Sequence, residues 1–378
     1  MRAEVSYETE PLGARPRYDV TNRPTWPLNW ASSNYECNMG ALVQSRFWIC
    51  CAALMIFVSA QSQSAAQTAQ SRQPLSAAPH KFKAAVENPA FEWFFLLVDT
   101  GKEQDIWAKH GLDPEFVPAA GSAAQLKERV DAGIEIGFVN TAEVPLARSN
   151  RVSVKIVSGY FGETTARIFA AADGPIKTAK ELDGKKIGII ATTHTSYRTV
   201  LFMNERLAIK AEPVPLGSLQ NNVTSLKAGQ IDAFYSAEGA ALTLVDTGDV
   251  RLLLPLADIY PKPYTAVVVW TTDDLIKNNP DLVTRFVRAT LETVEYLKTH
   301  PSYAAGLYVR RTSASQAVAE KAVASLNHIL APGGRGSGQD LVAAVKGNWQ
   351  FIIESGAVAR DIAVKIEDVV DSTFLPTK

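Results

Sequence analysis

The stretch Ala191-Thr192-Thr193-His194-Thr195-Ser196 places four hydroxyls and an imidazole between an apolar run and a helix-patterned run. A helix start uses one such side chain as its N-cap. The others suit an oxyanion head group (sulfonate, carboxylate or phosphate), held by side-chain and backbone donors where unpaired N–H groups and the helix dipole point the same way. Arg198 follows four residues after His194, shares its helix face and can add a positive charge. A surface histidine and a solvated arginine are the plainer readings of these two residues. Gly121-Ser122 offers a second helix start of the same kind, with ordinary capping as its alternative.

Further positions follow from a rule about sheets: in open α/β folds, ligands collect beyond the carboxyl ends of the strands. The first strand-like run delivers Asn88, Phe91 and Trp93, polar and aromatic together, and one of the rings is equally suited to core packing. The third delivers Asn140 and Thr141. The fourth is followed by Tyr160 and Phe161, an aromatic wall or part of the core between lobes. Tyr235 and Glu238 end the last strand of the second half, where Glu238 suits an amino group or a hinge contact. Glu238 pulls toward a ligand with a donor, and the two helix starts pull toward an anion.

The elements that must carry these residues alternate. Strand-like runs at Phe82–Val86, Leu112–Val117, Ile134–Val139 and Val154–Ser158 are separated by helix-patterned segments, with Gly111 suited to a left-handed helix end. A second unit begins after Asp173-Gly174-Pro175, with strands expected at Lys186–Ile190, Glu212–Leu216, Ala233–Ser236 and Leu252–Pro255 and helices at Ser196–Ala208 and Gln220–Ala228. Thr265–Trp270 leads back to the first unit, and the chain from Pro280 on is mainly helical. This plan is α/β: two mainly parallel sheets flanked by helices, the second unit inserted into the first, with a cleft between two lobes. The expected lobes are 81–170 with 266–378, and 171–265.

The N-terminal part reads differently. Phe47–Ala60 is an apolar run of 14 residues behind Arg46, followed by Ser64-Ala65-Ala66, and residues 39–66 have the layout of a secretory signal peptide. A membrane span needs about 20 apolar residues, so a membrane anchor is the weaker alternative. Residues 1–38, rich in Pro, Arg, Asn and Tyr, fit poorly before such a signal, and Met39 reads as the initiator, a disordered extension being the alternative. Residues 67–80 read as a linker.

Composition narrows the chemistry. The 378 residues carry a net charge of −1 without a basic block, which gives no footprint for nucleic acid. The three cysteines, Cys37, Cys50 and Cys51, all precede residue 52, so the main body has no thiol chemistry. The histidines are scattered outside metal-ligand spacing, and neither a dinucleotide fingerprint, a P-loop nor a nucleophile elbow occurs. No catalytic residue, metal or cofactor is expected.

Four stretches carry a resemblance: Gly111–Ala147, Gly174–Glu205, Leu226–Ala241 and Thr265–Thr290. In order and spacing they resemble the nitrate, sulfonate and taurine class of ABC importer binding proteins, related to binding proteins for thiamine pyrimidine precursors. The resemblance implies a two-lobe type II periplasmic binding protein fold and a monomer in the periplasm. It implies capture of a small organic, anionic ligand by hinge closure, and delivery to an ABC permease with its ATPase at the inner membrane. The enzymatic alternative on this fold, thiamine pyrimidine synthesis with a cysteine-rich iron motif, lacks its cysteines here.

Overall fold

The computed structural model describes residues 78–87, 92–118, 123–160, 162–192, 194–327, 338–359, 362 and 364–376, all within the compact unit Pro74–Lys378. The expected extension (1–38), signal segment (39–66) and most of the linker lie outside the described residues.

The chain first lays down β1 (His80–Val86), α1 (Glu92–Glu103), α2 (Ile106–Lys109), β2 (Leu112–Pro118), α3 (Ala123–Asp131), β3 (Ile136–Asn140), α4 (Glu143–Ser149) and β4 (Val154–Gly159). It then builds β5 (Arg167–Ala171), β6 (Lys186–Ile189), α5 (Thr195–Leu207), β7 (Glu212–Pro215), α6 (Leu219–Lys227), β8 (Ala233–Ser236), α7 (Thr243–Asp246) and β9 (Val250–Pro255). After β10 (Val267–Thr272) come α8 (Asp273–Asn278), α9 (Pro280–Thr299), α10 (Pro301–Thr312), α11 (Gln316–Asn327), α12 (Gly338–Glu354) and α13 (Ile366–Val369).

The two sheets repeat one plan. Their strand orders are β2-β1-β3-β10-β4 and β7-β6-β8-β5-β9. In the first, β10 runs antiparallel to both β3 and β4; in the second, β5 runs antiparallel to both β8 and β9. The other four strands of each sheet share one direction, as the mainly parallel reading expects. Each reversed strand is the one that follows a crossing of the chain between sheets. The segment Arg167–Ala171, which sequence reading leaves unassigned, is the reversed strand of the second sheet: its five residues, RIFAA, are too short for a period to show.

Local chemistry explains the pairing. All six residues of β10 are buried, as a central strand covered on both faces requires. Gly137 lets β3 close on β1, since a Cβ there would stand 2.2 Å from the Ala85 carbonyl oxygen. Gly111 takes φ +68° just past α2, the left-handed position expected of it.

One apolar core joins the lobes. In the first, Phe138 is fully buried among the rings of Phe116, Tyr160 and Phe286, which seats α9 on the sheet. On one side of the cleft, Phe202 of α5 meets the rings of Tyr260 and Phe351 at 5.1 and 5.0 Å. Phe351 belongs to α12, so this C-terminal helix packs against the second lobe. An ion pair between Arg206 and Glu354, 2.9 Å, ties α5 to α12 as well. Nearby, Gly239 presses on Ala322 of α11, leaving no room for a Cβ. Among the described residues, no helix is long and apolar enough to cross a membrane.

Candidate ligand-binding site

The carboxyl ends of β1, β3, β6 and β8 open onto one cavity between the lobes, enclosing about 860 Å³ with the solvent at its mouth. Its lining comes from three sources: the first lobe, the second lobe, and α12 together with the returning crossing.

From the first lobe come Glu87, Asn140 and Glu143. Strands β1 and β3 pair directly, with Val86 opposite Phe138, so the residues that leave their ends meet. Asn140 donates its backbone N–H to Glu87 Oε2 at 2.6 Å and its Nδ2–H to Oε1. Burial drives the Glu87 carboxyl up to about 7; the neighbouring Glu143 adds to this, while the Asn140 bonds and Arg198 oppose it. Glu143, at the start of α4, is nearly fully buried and accepts from Arg198 Nη1 at 3.1 Å. Burial raises its pKa against the pull of that guanidinium.

From the second lobe come His194, Thr195, Arg198, Tyr235 and Glu238. His194 is the N-cap of α5: its backbone is extended and its Nδ1 accepts from the Ser196 N–H at 3.0 Å. Burial, aided by the Arg198 charge, lowers its pKa to about 4. The ring is therefore neutral at pH 7 with its proton on Nε2. Tyr235 stands edge-on to it with centroids 6.5 Å apart. Burial raises the pKa of Glu238 too, and that of Tyr235, where Glu238 contributes.

The back wall is aromatic and amide. Tyr260, Tyr264, Asn348 and Phe351 line it, with Tyr260 stacked on Phe351 at 4.6 Å. The Tyr260 hydroxyl shares a hydrogen bond with Thr199 at 2.8 Å. Asn348 donates through Nδ2 to the Thr265 carbonyl at 2.9 Å. Its buried Oδ1 has no hydrogen-bond partner among the described residues.

Of the expected residues, the structure therefore brings Asn140, His194, Thr195, Tyr235 and Glu238 together on the cavity. Ser196 stands behind it: fully buried, its Oγ accepts from the Ile190 N–H at 3.2 Å. Thr141 is buried too and is not part of the lining. Trp93 falls in α1, with its side chain outside the description, and Asn88, Phe91, Gly121, Ser122, Phe161 and Thr193 lie outside the described residues. Tyr160 packs edge-on against Phe138 in the core. Sequence reasoning missed Glu87 and Glu143, although each stands next to a strand end it had singled out. It also missed the α12 residues, which no strand-end rule could find. Among the described residues, no group of three or more His, Cys, Asp or Glu is placed to hold a metal ion.

Comparison with known proteins agrees with this architecture. The family described as NMT1/THI5 like matches residues 96–304, more than half of the chain. No curated protein matches the sequence. Among solved structures, the periplasmic aliphatic sulphonate binding protein SsuA from Escherichia coli superposes with a TM-score of 0.62 at 15% identity, over 79% of this chain and 95% of that one. A conserved gene product of Candida albicans, described as having the generic periplasmic binding protein fold, gives 0.57 at 17% identity, over 79% and 97%. The desulfurization enzyme DszB, in complex with biphenyl-2-sulfinic acid, gives 0.55 at 18%, over 78% and 97%. The fold is that of the periplasmic binding proteins, and one of its similar structures is an enzyme.

Proposed function

This chain belongs to the NMT1/THI5-like family, and from that premise we propose that it is the solute-binding subunit of an ABC importer. In this reading it is exported to the periplasm as a monomer, captures a small organic solute by closure of its lobes, and passes it unaltered to a membrane permease driven by an ATPase. The observation that carries the reading is the cavity itself, where polar and aromatic side chains from both lobes converge at the strand ends. Arg198 reaching Glu143 from the opposite lobe supports it, because a contact across the cleft forms only when the lobes are together.

Binding rather than catalysis fits the groups present. The His194 Nδ1 caps α5 and also lies 3.0 Å from Ser196 Oγ, but that hydroxyl is fully buried behind the cavity and accepts from the Ile190 N–H. Arg198 is paired with Glu143, so no open nucleophile beside a base faces the cavity among the described residues. The sulfonate-like anion expected from the α5 start draws support from SsuA, a sulphonate binding protein of the same fold. The same two engagements weaken it. A second reading, binding of a thiamine pyrimidine precursor, is favoured by the ring-rich wall of Tyr260, Tyr264 and Phe351.

The full-length chain, screened by thermal shift against alkanesulfonates, taurine, aromatic carboxylates, pyrimidines and amines, should be stabilised by one class through mass action. The bound compound should be recovered unchanged. No stabilisation by any class overturns the receptor reading, and recovery of a converted compound makes the protein an enzyme.

A further inference from the structure

We propose that the solute this cleft takes is an organic cation bearing several N–H donors (an amidinium, guanidinium or primary ammonium), anchored by Glu87 and Glu238 with the Asn348 Oδ1. The proposal rests on the receptor reading above and names the ligand class of that site.

Among the described residues, three carboxylates line the cavity, Glu87, Glu143 and Glu238, against one guanidinium, Arg198. Arg198 is already committed to Glu143, and His194 is neutral and accepts at Nδ1 from the chain. The described lining therefore carries more carboxylates than cations, whether or not Glu87 holds its proton. An anion entering it would meet Glu87 and Glu238, with no uncommitted cation among the described lining residues to receive it. Like charges at such range repel strongly in a poorly solvated cleft.

A separate observation points the same way. Asn348 is 4% exposed and lines the cavity; its Nδ2 donates to the Thr265 carbonyl, and the side chain also hydrogen-bonds the Tyr264 side chain. Its Oδ1 is left as a buried acceptor without a partner among the described residues. A buried acceptor of this kind costs stability until a donor reaches it. The donor it lacks is what an N–H-rich ligand carries. Tyr235, Tyr260 and Phe351 supply ring faces and edges for the body of such a ligand, and aromatic faces also favour cations.

The charge step balances simply. Glu87 faces Asn140, Glu143, Arg198 and Tyr160, and it holds a proton in part of the molecules near neutral pH. When a cation docks, the carboxyl of those molecules ionises and its proton passes to solvent, so in them one proton leaves as one positive charge enters, and the average release is a fraction of a proton per cation. No bond other than O–H is broken.

The test uses the full-length chain and matched probes on one ring: benzamidinium and benzylammonium, benzyl alcohol, and benzoate with benzenesulfonate. Isothermal titration at pH 7 in two buffers of different ionisation enthalpy reads affinity and protons released together. The cations should bind at least about tenfold tighter than the alcohol or the anions, with net proton release. Glu87→Gln should abolish the release and weaken the cations about tenfold or more. Glu238→Gln, in a separate protein, should weaken them without removing the release. Tighter binding of benzoate or benzenesulfonate overturns this proposal while leaving a receptor. Binding by none of the probes at millimolar concentration counts against the receptor reading and the proposal together.

Discussion

Arg198 Nη1 lies 3.1 Å from Glu143 Oε1, and this ion pair joins the second lobe to the first across the ligand cavity. The carboxylate is almost fully buried and the guanidinium about four-fifths buried, their side chains being 3% and 21% exposed. Ion pairs of this kind return little net stability when formed, and breaking one side of them is expensive.

Arg198→Met should therefore destabilise the protein by about 2–4 kcal/mol in chemical denaturation, because the buried Glu143 carboxyl loses the cation that offsets its burial. Glu143→Gln should cost less, since an amide oxygen can still accept from the guanidinium. Small-angle scattering of Arg198→Met without ligand should show a larger radius of gyration than the parent. An unchanged radius and a cost below about 0.5 kcal/mol would mark the pair as a screened surface contact.

Two displaced titrations at the site, those of Glu87 and His194, act in opposite senses. Glu87 goes up to about 7 from 4.5, so between those values the folded chain keeps a proton that the unfolded chain has lost, and stability falls as pH rises. His194 goes down to about 4 from 6.5, so there the unfolded chain binds the extra proton and stability rises with pH. Over the shared window the two slopes offset. Urea midpoints across this range should thus separate the variants. Glu87→Gln should gain on the parent as pH climbs toward 8, by on the order of 1–3 kcal/mol. His194→Asn, which keeps a good N-cap, should lose the acid-side decline.

Gly347 is where α12 touches the crossing between lobes, and a Cβ there would stand 2.0 Å from the Pro263 carbonyl oxygen. Gly347→Ala should cost roughly 2–3 kcal/mol through overpacking and weaken ligand binding, since Asn348 and Phe351 ride on the same turn. Gly306→Ala in α10 is the contrast: its nearest neighbour is the Arg310 side chain at 3.7 Å. That change should be neutral or stabilise by up to about 1 kcal/mol, as removal of a helical glycine does. Thermal melts of both proteins decide the matter.

Phe351 stacks on Tyr260 at 4.6 Å and meets Phe202 edge-on. Its removal as Phe351→Ala should cost about 3–5 kcal/mol, while Phe351→Leu should cost less than half of that and still weaken binding of any ring-bearing probe in titration.

Much of the fold is legible before any coordinates. Apolar runs bounded by glycine and hydroxyl residues gave the strands on either side of each site residue, and Gly111 marked a helix end by its backbone alone. Strand ends then led to Asn140, His194, Thr195, Tyr235 and Glu238. What stayed hidden depends on partners distant in sequence. Glu87 reads as a loop residue until β1 is laid beside β3 and Asn140 meets its carboxylate, 53 residues on. Arg198 looks like either an anion ligand or a solvated side chain until Glu143 appears opposite. Asn348 lies in an amphipathic helix whose inward face is indistinguishable, in sequence, from one that covers a sheet.

The reversed strands β5 and β10 mean that the chain passes between sheets twice, after β4 and again before β10. A lone tether would let one half swivel freely about it, like a weight on a string. Two crossings bonded to one another, as by the Tyr160 N–H on the Val267 carbonyl and the Leu256 N–H on the Ala166 carbonyl, act as a pair of pins: they permit a fold-over about the line through both and resist rotation about the long axis. Bracing by α12 and the Phe202–Tyr260–Phe351 cluster shuts one edge of that line. What such a pair of pins leaves free is the one motion that carries Arg198 and Glu238 toward and away from Glu143 and Glu87.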